Sequence, residues 1–226
     1  MKRVFVALLL VGLTGCAVTE QSKPETIIKT GFLGDYSQLK PGTKDQALLV
    51  YFNPNADWKK YHSVLVERVQ VWDSPDSKVT PENEQMLSNY YYNALKQDLS
   101  KDFRIVEQPG PGVMTLRVAL TNATTATPVL RTVSVVIPQA RLLNSINNLA
   151  TGSYAFVGSA QSEGEVLDSV TGERLAAAVD RRSGGLSVKN ADVWEWGDAK
   201  NAMDYWAQRT DQRLVELHSG KTVSSQ

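Results

Sequence analysis

The sequence predicts a single α+β domain, in which a mainly antiparallel sheet carries two long helices packed on one face. Apolar residues recur at helical spacing over residues 81–99 and 198–217. Shorter stretches between them alternate polar and apolar residues or are rich in β-branched residues, which is typical of strands. Residues 154–167 and 173–182 flank a turn sequence and predict a hairpin. The apolar fraction of 42% is ordinary for a globular chain.

The first long helix is predicted to start at Thr80-Pro81-Glu82. This tripeptide offers an N-cap, a proline at the first helical position and an acid near the positive end of the helix dipole. Three consecutive tyrosines stand about 100° apart on this helix, so they cannot all face one core. Tyr90 and Tyr92 are therefore candidate contacts for a partner. The core-facing stripe comprises Leu87, Tyr91, Ala94, Leu95 and Leu99.

The second long helix is predicted to run to about Leu217, with Asp198 as its N-cap. Trp194 and Trp196 precede it and are predicted to fix the angle at which the chain enters the helix. Because aromatic side chains are common at interfaces, these two tryptophans are also candidate contacts for a partner. The inner stripe of the helix comprises Ala199, Ala202, Met203, Trp206, Thr210, Arg213, Leu214 and Leu217.

The strands are predicted as three or four before Pro138 and two after it. The turn of the predicted hairpin is Asp168-Ser169-Val170-Thr171-Gly172. The strand that follows it has Ala176 and Ala178 on one face. Such small side chains leave room for an element to pack closely, most simply a helix. The predicted segments are residues 47–52, 63–72, 103–106, 113–121, 129–137, 154–167 and 173–182.

Two further segments are predicted to cover the core. Residues 31–39 predict a short turn of helix, capped by Asp35 or Ser37, that plugs against the domain. Residues 139–150 predict a short amphipathic helix with Leu142, Leu143, Ile146 and Leu149 on one side. A core-covering role is favoured for this second helix, and docking of a partner or lining of a cavity are the alternatives.

The N-terminus predicts export. Lys2 and Arg3 precede an apolar run from Val4 to Val11, which is typical of a secretory signal peptide and too short to span a bilayer. The segment Leu13-Thr14-Gly15-Cys16 that follows resembles the bacterial lipobox. This resemblance implies cleavage before Cys16, a diacylglyceryl group on its sulfur and an acyl chain such as palmitate on its amino group. Ala17, where aspartate would favour the inner membrane, implies the outer membrane. The alternative is an ordinary signal peptide that carries a cysteine by chance.

The predicted organisation follows from this cleavage point. Residues 1–15 are the signal peptide, 16–30 the lipidated cysteine and a polar tether, 31–218 the domain and 219–226 a frayed tail. The full chain carries 24 basic and 24 acidic residues. Removal of the signal peptide takes away only two of the basic residues, Lys2 and Arg3, so the mature chain is still close to neutral. Nucleic acid is therefore not expected as a partner, since it calls for a basic surface. Cys16 is the sole cysteine, so no intrachain disulfide is possible.

Several motifs together resemble a known family. They are Gly31-Phe32-Leu33-Gly34-Asp35-Tyr36, Asp168-Ser169-Val170-Thr171-Gly172-Glu173 with the basic pair after Asp180, and Trp196-Gly197-Asp198-Ala199. The chain is similar, from about Gly31 to Leu217, to the bacterial lipoprotein family catalogued as domain of unknown function thirty-three-thirteen. The resemblance implies a lipoprotein class and an envelope location. It implies no activity and no catalytic residues.

The sequence offers little for catalysis. Its two histidines, His62 and His218, lack zinc-binding spacing, and no nucleophile elbow or phosphate loop is present, so neither a metal nor a cofactor is expected. Two carboxylates at a suitable separation can cleave a glycosidic bond. Nearby arginines, Arg174, Arg181 and Arg182, favour instead an interpretation as cross-strand ion pairs and a turn cap. The candidate carboxylates are Glu163, Glu165, Asp168 and Asp180.

The sequence therefore predicts a non-enzymatic accessory or binding lipoprotein, lipid-anchored in the outer membrane and facing the periplasm. It would bind or position another envelope component, and an envelope protein is the expected partner. One alternative is a cell-wall glycan hydrolase or glycan binder that uses the hairpin carboxylates. Another is a carrier of a lipid or small molecule.

Overall fold

A computed structural model describes residues 19–72, 79–124, 159–184 and 196–221 of the chain. Cys16, Trp194 and the predicted elements at 129–137 and 139–150 lie outside these ranges. Within them the helices are α1 (Pro81–Leu99) and α2 (Gly197–His218). The strands are β1 (Thr19–Gln21), β2 (Lys40–Pro41), β3 (Leu49–Phe52), β4 (Ser63–Val66), β5 (Gln70–Trp72), β6 (Arg104–Ile105), β7 (Val113–Thr124), β8 (Ser159–Asp168) and β9 (Arg174–Gly184).

The described strands form one mixed sheet in the order β2-β3-β9-β8-β7-β4-β6, with β1 added beside β9 and β5 beside β7. The pairs among β2, β3, β9, β8 and β7 are antiparallel, as is the pair of β1 and β9. β7 pairs in parallel with β4 and β5, and β4 with β6. The α+β prediction, with a mainly antiparallel sheet and both long helices on one face, is confirmed.

Helix α1 begins and ends where the sequence predicts. The Thr80 hydroxyl accepts a hydrogen bond from the Asn83 amide, and Pro81 occupies the first helical position. These local features need no tertiary contact to specify the helix start. Four predicted stripe residues are buried against the sheet and α2, namely Leu87, Tyr91, Leu95 and Leu99.

Helix α2 begins two residues earlier than the predicted N-cap at Asp198 implies. Trp196 holds the N-cap position without a side-chain cap, and Asp198 lies inside the first turn, so its prediction as N-cap is wrong. Asp198 is buried there, where a negative side chain still suits the helix dipole. Trp196 is 7% exposed and belongs to the main core, which explains how it fixes the helix entry. This burial leaves it little surface to offer a partner, contrary to that part of the prediction.

The N-terminal segment makes a second, smaller core on the sheet face opposite the helices. Phe32 and Leu33 pack there against Ala119, Ala177 and Val179. The predicted plug is therefore present, but residues 31–39 form turns and not a turn of helix. Asp35 caps one of these turns by accepting a hydrogen bond from the Ser37 amide at 2.8 Å.

The prediction of a free tether is wrong for residues 19–30. Strand β1 pairs with the end of β9, with Thr19 opposite Gly184 and Gln21 opposite Arg182. Further along, both backbone groups of Ile28 bond to the Gln161 side chain. The physical reason is that β3 covers β9 only from Ala176 to Val179, so β1 satisfies backbone groups that would otherwise remain at an open edge.

Other boundaries shift by tertiary context. The segment predicted as one strand from 63 to 72 divides into β4 and β5, because its register against β7 shifts by one residue between Val66, which lies opposite Leu116, and Gln70, which lies opposite Ala119. The Ser88 hydroxyl on α1 bonds to the Val69 carbonyl in the intervening stretch. Seven of the described strands precede residue 125, more than the three or four predicted, because the N-terminal segment joins the sheet. No helix in the described ranges is long and apolar enough to span a membrane.

Candidate functional site

The hairpin of β8 and β9, which are middle strands of the sheet, carries all four candidate carboxylates. Its turn forms as the sequence predicts, because Asp168 Oδ1 accepts hydrogen bonds of 2.9 Å from the Val170 and Thr171 amides. Gly172 adopts a φ of 73°, which favours glycine. All four carboxylates are buried, namely Glu163, Glu165, Asp168 and Asp180.

The sheet separates these carboxylates onto two faces. Residues paired directly across antiparallel strands share a face, and Ser162 pairs with Asp180 whereas Glu163 pairs with Val179. Ser162 reaches Tyr91 of α1, so Asp180 lies on the helix side. Glu163 belongs to the side covered by the N-terminal segment, because Thr30 and Tyr36 bond to it.

Glu165 is held by two arginines. Its Oε1 lies 2.5 Å from Arg117 Nη1 and its Oε2 lies 2.8 Å from Arg174 Nη2. Arg174 also donates hydrogen bonds to the carbonyls of Leu33, at 2.6 Å, and Asp35, at 2.8 Å. The pair therefore fastens the N-terminal segment to the hairpin.

Glu163 accepts hydrogen bonds from three residues. Thr30 donates through its amide at 3.2 Å and its hydroxyl at 3.0 Å, and the Tyr36 hydroxyl and the Gln161 side chain donate as well. Burial and the contact with Glu163 raise the pKa of Tyr36. Like Glu165, this carboxylate fastens the N-terminal segment.

Asp168 caps the hairpin turn and also contacts two residues that precede β4. The Tyr61 hydroxyl donates to Asp168 Oδ2 at 2.7 Å, and Lys60 Nζ lies 3.2 Å from the same atom. Burial raises the pKa of Asp168, but the hydrogen bonds from Thr171, Tyr61 and Val170 outweigh it and hold the pKa well below its usual range. Burial and the bond to Asp168 raise the pKa of Tyr61 to about 12.

Asp180 joins three parts of the fold. Trp206 Nε1 on α2 donates to it at 2.8 Å, Gln21 on β1 donates at 2.6 Å, and the Leu48 amide donates at 3.2 Å. Arg182 Nη1 lies 3.6 Å away. Burial raises the pKa of Asp180 in spite of these partners. Glu165 and Asp180 both line the cavity described below, but their side chains bond to partners on opposite faces of the sheet. Ion pairs of Glu165, Asp168 and Asp180, the turn cap of Asp168 and the hydrogen bonds of Glu163 give each carboxylate a structural role.

The tyrosines of α1 point in three directions, as the helical spacing predicts. Tyr91 is buried in the core, and Tyr90 donates a hydrogen bond of 2.9 Å to Asp204 on α2. The Tyr92 ring lies under the guanidinium of Arg68, 4.6 Å from the ring centre. Tyr90 and Tyr92 are each half-buried, so part of each ring is committed to the fold. Their contact with a partner stays a prediction.

A cavity of about 150 Å³ lies between α2 and the sheet. Small side chains on the hairpin, Gly164, Ala176 and Ala178, form its floor. The sequence predicted that Ala176 and Ala178 would admit a closely packed helix, and α2 does cover them, but it does not fill the space. The cavity was not predicted, since its existence depends on how α2 crosses the sheet. Its other apolar lining residues include Val50, Phe52, Leu116, Val118, Val166, Trp206, Leu214 and Leu217.

Polar groups occupy two places in this cavity. The Tyr91 and Ser162 hydroxyls, 3.1 Å apart, and Asp180 lie inside, where they are buried. Two arginines of α2 lie at the rim, and Arg209 Nη2 and Arg213 Nη2 donate to the Asp45 carbonyl at 2.6 and 3.3 Å. The arrangement can hold a small apolar group and offers few groups that could perform chemistry on it.

His62 and His218 are in contact near the hairpin-turn end of the sheet, with ring centres 5.1 Å apart. No cluster of three or more metal-binding side chains occurs in the described part of the chain. His218 Nδ1 lies 3.2 Å from the Trp58 carbonyl, so the pair closes the end of α2 over the turn that precedes β4.

The titration of Asp211 is expected to make the stability of the protein depend on pH. Burial and the neighbouring carboxylates of Asp102 and Asp98 raise the pKa of Asp211 from 3.8 to about 6, against the opposing charge of Lys101. Because the folded state then binds this proton more tightly than the unfolded state, Asp211 lowers stability as the pH rises through about 4 to 6.

Asp211→Asn is therefore expected to raise the free energy of unfolding by about 1–2 kcal/mol near neutral pH and to change it little at about pH 4. Urea unfolding at both pH values measures this. The exposed Asp57→Asn serves as a matched control with no expected change. Equal effects of Asp211→Asn at both pH values would contradict the prediction.

The family model described as protein of unknown function (DUF3313) matches residues 29–210. The chain belongs to this family. The resemblance inferred from the motifs is thereby confirmed, and the DUF3313 match begins within the N-terminal segment that covers the sheet. The uncharacterized lipoprotein YdcL of Escherichia coli K12 is 27% identical over 185 residues, which cover 80% of this chain and 81% of YdcL. The comparison supports a lipoprotein associated with the cell envelope.

Solved structures resemble this DUF3313 chain only distantly. The PelC dodecamer from Paraburkholderia phytofirmans has a TM-score of 0.38 and 13% identity, covering 71% of this chain and 95% of that chain. The hypothetical protein CT253 from Chlamydia trachomatis has a TM-score of 0.39 and 12% identity, covering 74% and 99%. At these TM-scores the likeness carries no conclusion about function.

Proposed function

We propose that this protein is a non-enzymatic binding lipoprotein, anchored in the outer membrane through Cys16 with its domain in the periplasm. The observation that carries the binding role is the cavity of about 150 Å³ beneath α2. Its walls are largely apolar and its interior polar groups are few, which is typical of sites that bind without reacting. The ligand is a small apolar molecule or the apolar part of a lipid.

The positions of the carboxylates support a non-enzymatic role. A glycosidase needs two carboxylates on either side of one bond, with room for the sugar between them. Here Glu165 is closed between two arginines, Glu163 is covered by the N-terminal segment, and Asp180 lies on the other face of the sheet. Each has a structural partner that a catalytic acid or base would have to give up.

The anchor is supported by the lipobox resemblance and by the lipoprotein YdcL. A single acyl chain binds a membrane only marginally, whereas the chains implied for Cys16 hold a protein permanently. Ala17 supports the outer membrane as the destination. Intact-mass measurement of the protein from its host is expected to show the loss of residues 1–15 and the added acyl chains.

The cavity is tested by filling it. Ala178 is half-buried on the cavity floor, so Ala178→Leu is expected to occupy the space and Ala178→Ser to leave it open. Mass spectrometry of organic extracts from the purified proteins is expected to detect a retained ligand with the native chain and Ala178→Ser. The signal should fall at least about tenfold with Ala178→Leu, which corresponds to about 1.4 kcal/mol of binding free energy.

Two results would contradict the binding role. One is the absence of any co-purified ligand from the native protein. The other is a ligand that Ala178→Leu retains to the same extent as Ala178→Ser. Thermal unfolding of each variant serves as the folding control, since a leucine that fits the cavity leaves the midpoint unchanged or raises it.

A second candidate is an accessory protein that positions an envelope protein. The observation that favours it is the half-burial of Tyr90 and Tyr92 on opposite flanks of α1, which leaves part of each ring at the surface. Tyr90→Ala with Tyr92→Ala, followed by crosslinking in cells, is expected to remove a dominant protein partner. Unchanged recovery of that partner from a folded double variant would exclude this surface.

A further inference from the structure

The structure leaves very little chain between the lipid anchor and the folded domain. Only Ala17 and Val18 separate Cys16 from Thr19, the first residue of β1. Three fully extended residues span at most about 10 Å. The end of the domain that carries Thr19 therefore lies within about 10 Å of the lipidated residue.

Strand β1 is fixed to the domain. Besides its pairing with β9, Thr19 receives two hydrogen bonds from Arg182, at 2.8 Å to its hydroxyl and 3.0 Å to its carbonyl. The Arg182 guanidinium in turn lies 3.7 Å from the ring centre of Tyr205 on α2. The position of Thr19 thus sets the position of the whole sheet relative to the anchor.

The register of the sheet shows which end this is. Thr19 pairs with Gly184, and Ser183 next to it pairs with Ser159, the first residue of β8. The hairpin turn at Asp168 lies at the other end of β8, nine residues away, which is about 30 Å along a strand. The anchored end and the hairpin turn are therefore opposite ends of the domain.

Exposed apolar side chains are found close to the anchored end. Of the three large apolar residues that the described part of the chain exposes, Ile28 at 51% and Trp72 at 40% lie at the level of Gln161, two residues from Ser159. The third, Val170, lies in the hairpin turn.

The Ile28 backbone and the Trp72 side chain are held in place. Gln161 accepts from the Ile28 amide at 3.1 Å and donates to its carbonyl at 2.6 Å. The Trp72 ring meets the edge of Phe32, with ring centres 5.7 Å apart, and its Nε1 donates to Gln70. Both side chains belong to the face that the N-terminal segment covers.

We infer that the anchored end of the domain rests on the surface of the lipid bilayer that holds Cys16, with Trp72 and Ile28 in the bilayer interface. The inference rests on the anchor in the proposed function. Tryptophan favours the interface between lipid and water, where its apolar ring and its N–H are both accommodated. A bilayer is the occupant because Thr19 lies within about 10 Å of the lipidated residue, so this end of the domain is held next to the membrane that contains the acyl chains.

This orientation assigns a direction to the rest of the molecule. The hairpin turn, with the exposed Val170, lies about 30 Å further from the bilayer along the strands. It is the end of the described domain that a soluble partner in the periplasm would meet first.

Tryptophan quenching by brominated lipids tests the orientation. The lipidated full-length protein is placed in vesicles of phosphatidylethanolamine and phosphatidylglycerol with brominated acyl chains, in a Trp194→Phe background. Trp72→Phe is expected to lower the bromine-dependent quenching at least twofold. Trp58→Phe is the matched control, because Trp58 contacts Tyr61 and His218 near the hairpin end, and it is expected to leave the quenching unchanged.

The outcomes separate this inference from the proposed anchor. Equal quenching in the two variants, with acyl chains present on Cys16, overturns the orientation and leaves the anchor intact. Absence of acyl chains on Cys16 overturns both. A larger loss of quenching with Trp58→Phe places the opposite end at the bilayer and also overturns the inference.

Discussion

Glu165→Ala is expected to lower the free energy of unfolding by about 2–3 kcal/mol, because it removes charge-assisted hydrogen bonds from two arginines that are themselves partly exposed. Glu165 is 4% exposed and touches both Arg117 and Arg174. Its removal leaves both guanidinium groups without this partner, and it also weakens the bonds from Arg174 to the N-terminal segment. Urea unfolding followed by circular dichroism measures the loss.

The matched control uses the same arginine. Glu67 lies 3.5 Å from Arg117 but is 41% exposed, so Glu67→Ala is expected to cost less than about 1 kcal/mol. A comparably small loss with Glu165→Ala would contradict the prediction. Glu165→Gln addresses the hydrolase alternative, because a normal unfolding midpoint together with lost glycan cleavage would assign the residue to catalysis.

Asp180→Ala is expected to lower the free energy of unfolding by about 3 kcal/mol and to loosen the N-terminal segment selectively. The change removes the acceptor shared by Gln21, the Leu48 amide and Trp206. These donors come from β1, from the residue before β3 and from α2, so one substitution affects three connections. Hydrogen exchange is expected to show faster exchange in residues 19–52 than in α1.

Two variants sharpen this test. Because burial raises the pKa of Asp180, the neutral side chain of Asp180→Asn is expected to be tolerated better than alanine near neutral pH. The exposed Asp45→Ala removes a carboxylate from the cavity rim without removing the carbonyl that the arginines use, and no loss is expected. Uniformly faster exchange over the whole domain with Asp180→Ala would contradict a selective effect.

Local signals explain the features that the sequence predicted well. The start of α1 depends on Thr80 and Pro81, and the hairpin turn depends on Asp168 and Gly172, all of which act within a few residues of themselves. The core stripe of α1 follows from helical spacing alone. The motifs that indicated the family are likewise contiguous, and the family model confirms them.

Features that depend on distant partners were not predicted. Residues 19–30 carry no periodic pattern, and they join the sheet through backbone pairing and through Gln161 and Glu163. A polar segment of this kind resembles a tether in sequence, because strand addition at an edge uses backbone groups that every residue has. The parallel pairing of β4 and β5 with β7 was not predicted for the same reason, because it too depends on partners distant in the chain.

By itself, the sequence determined the lipoprotein family, the α+β class, the extent of α1 and the hairpin, because each is encoded by neighbouring residues or by a regular period. Only the tertiary structure decided that Glu163 and Asp180 lie on opposite faces of the sheet, that a cavity remains beneath α2, and that Trp72 lies close to the end of the sheet that carries Thr19. These features depend on strand register and on how a helix crosses a sheet. Register and crossing are set by contacts between residues far apart in the chain.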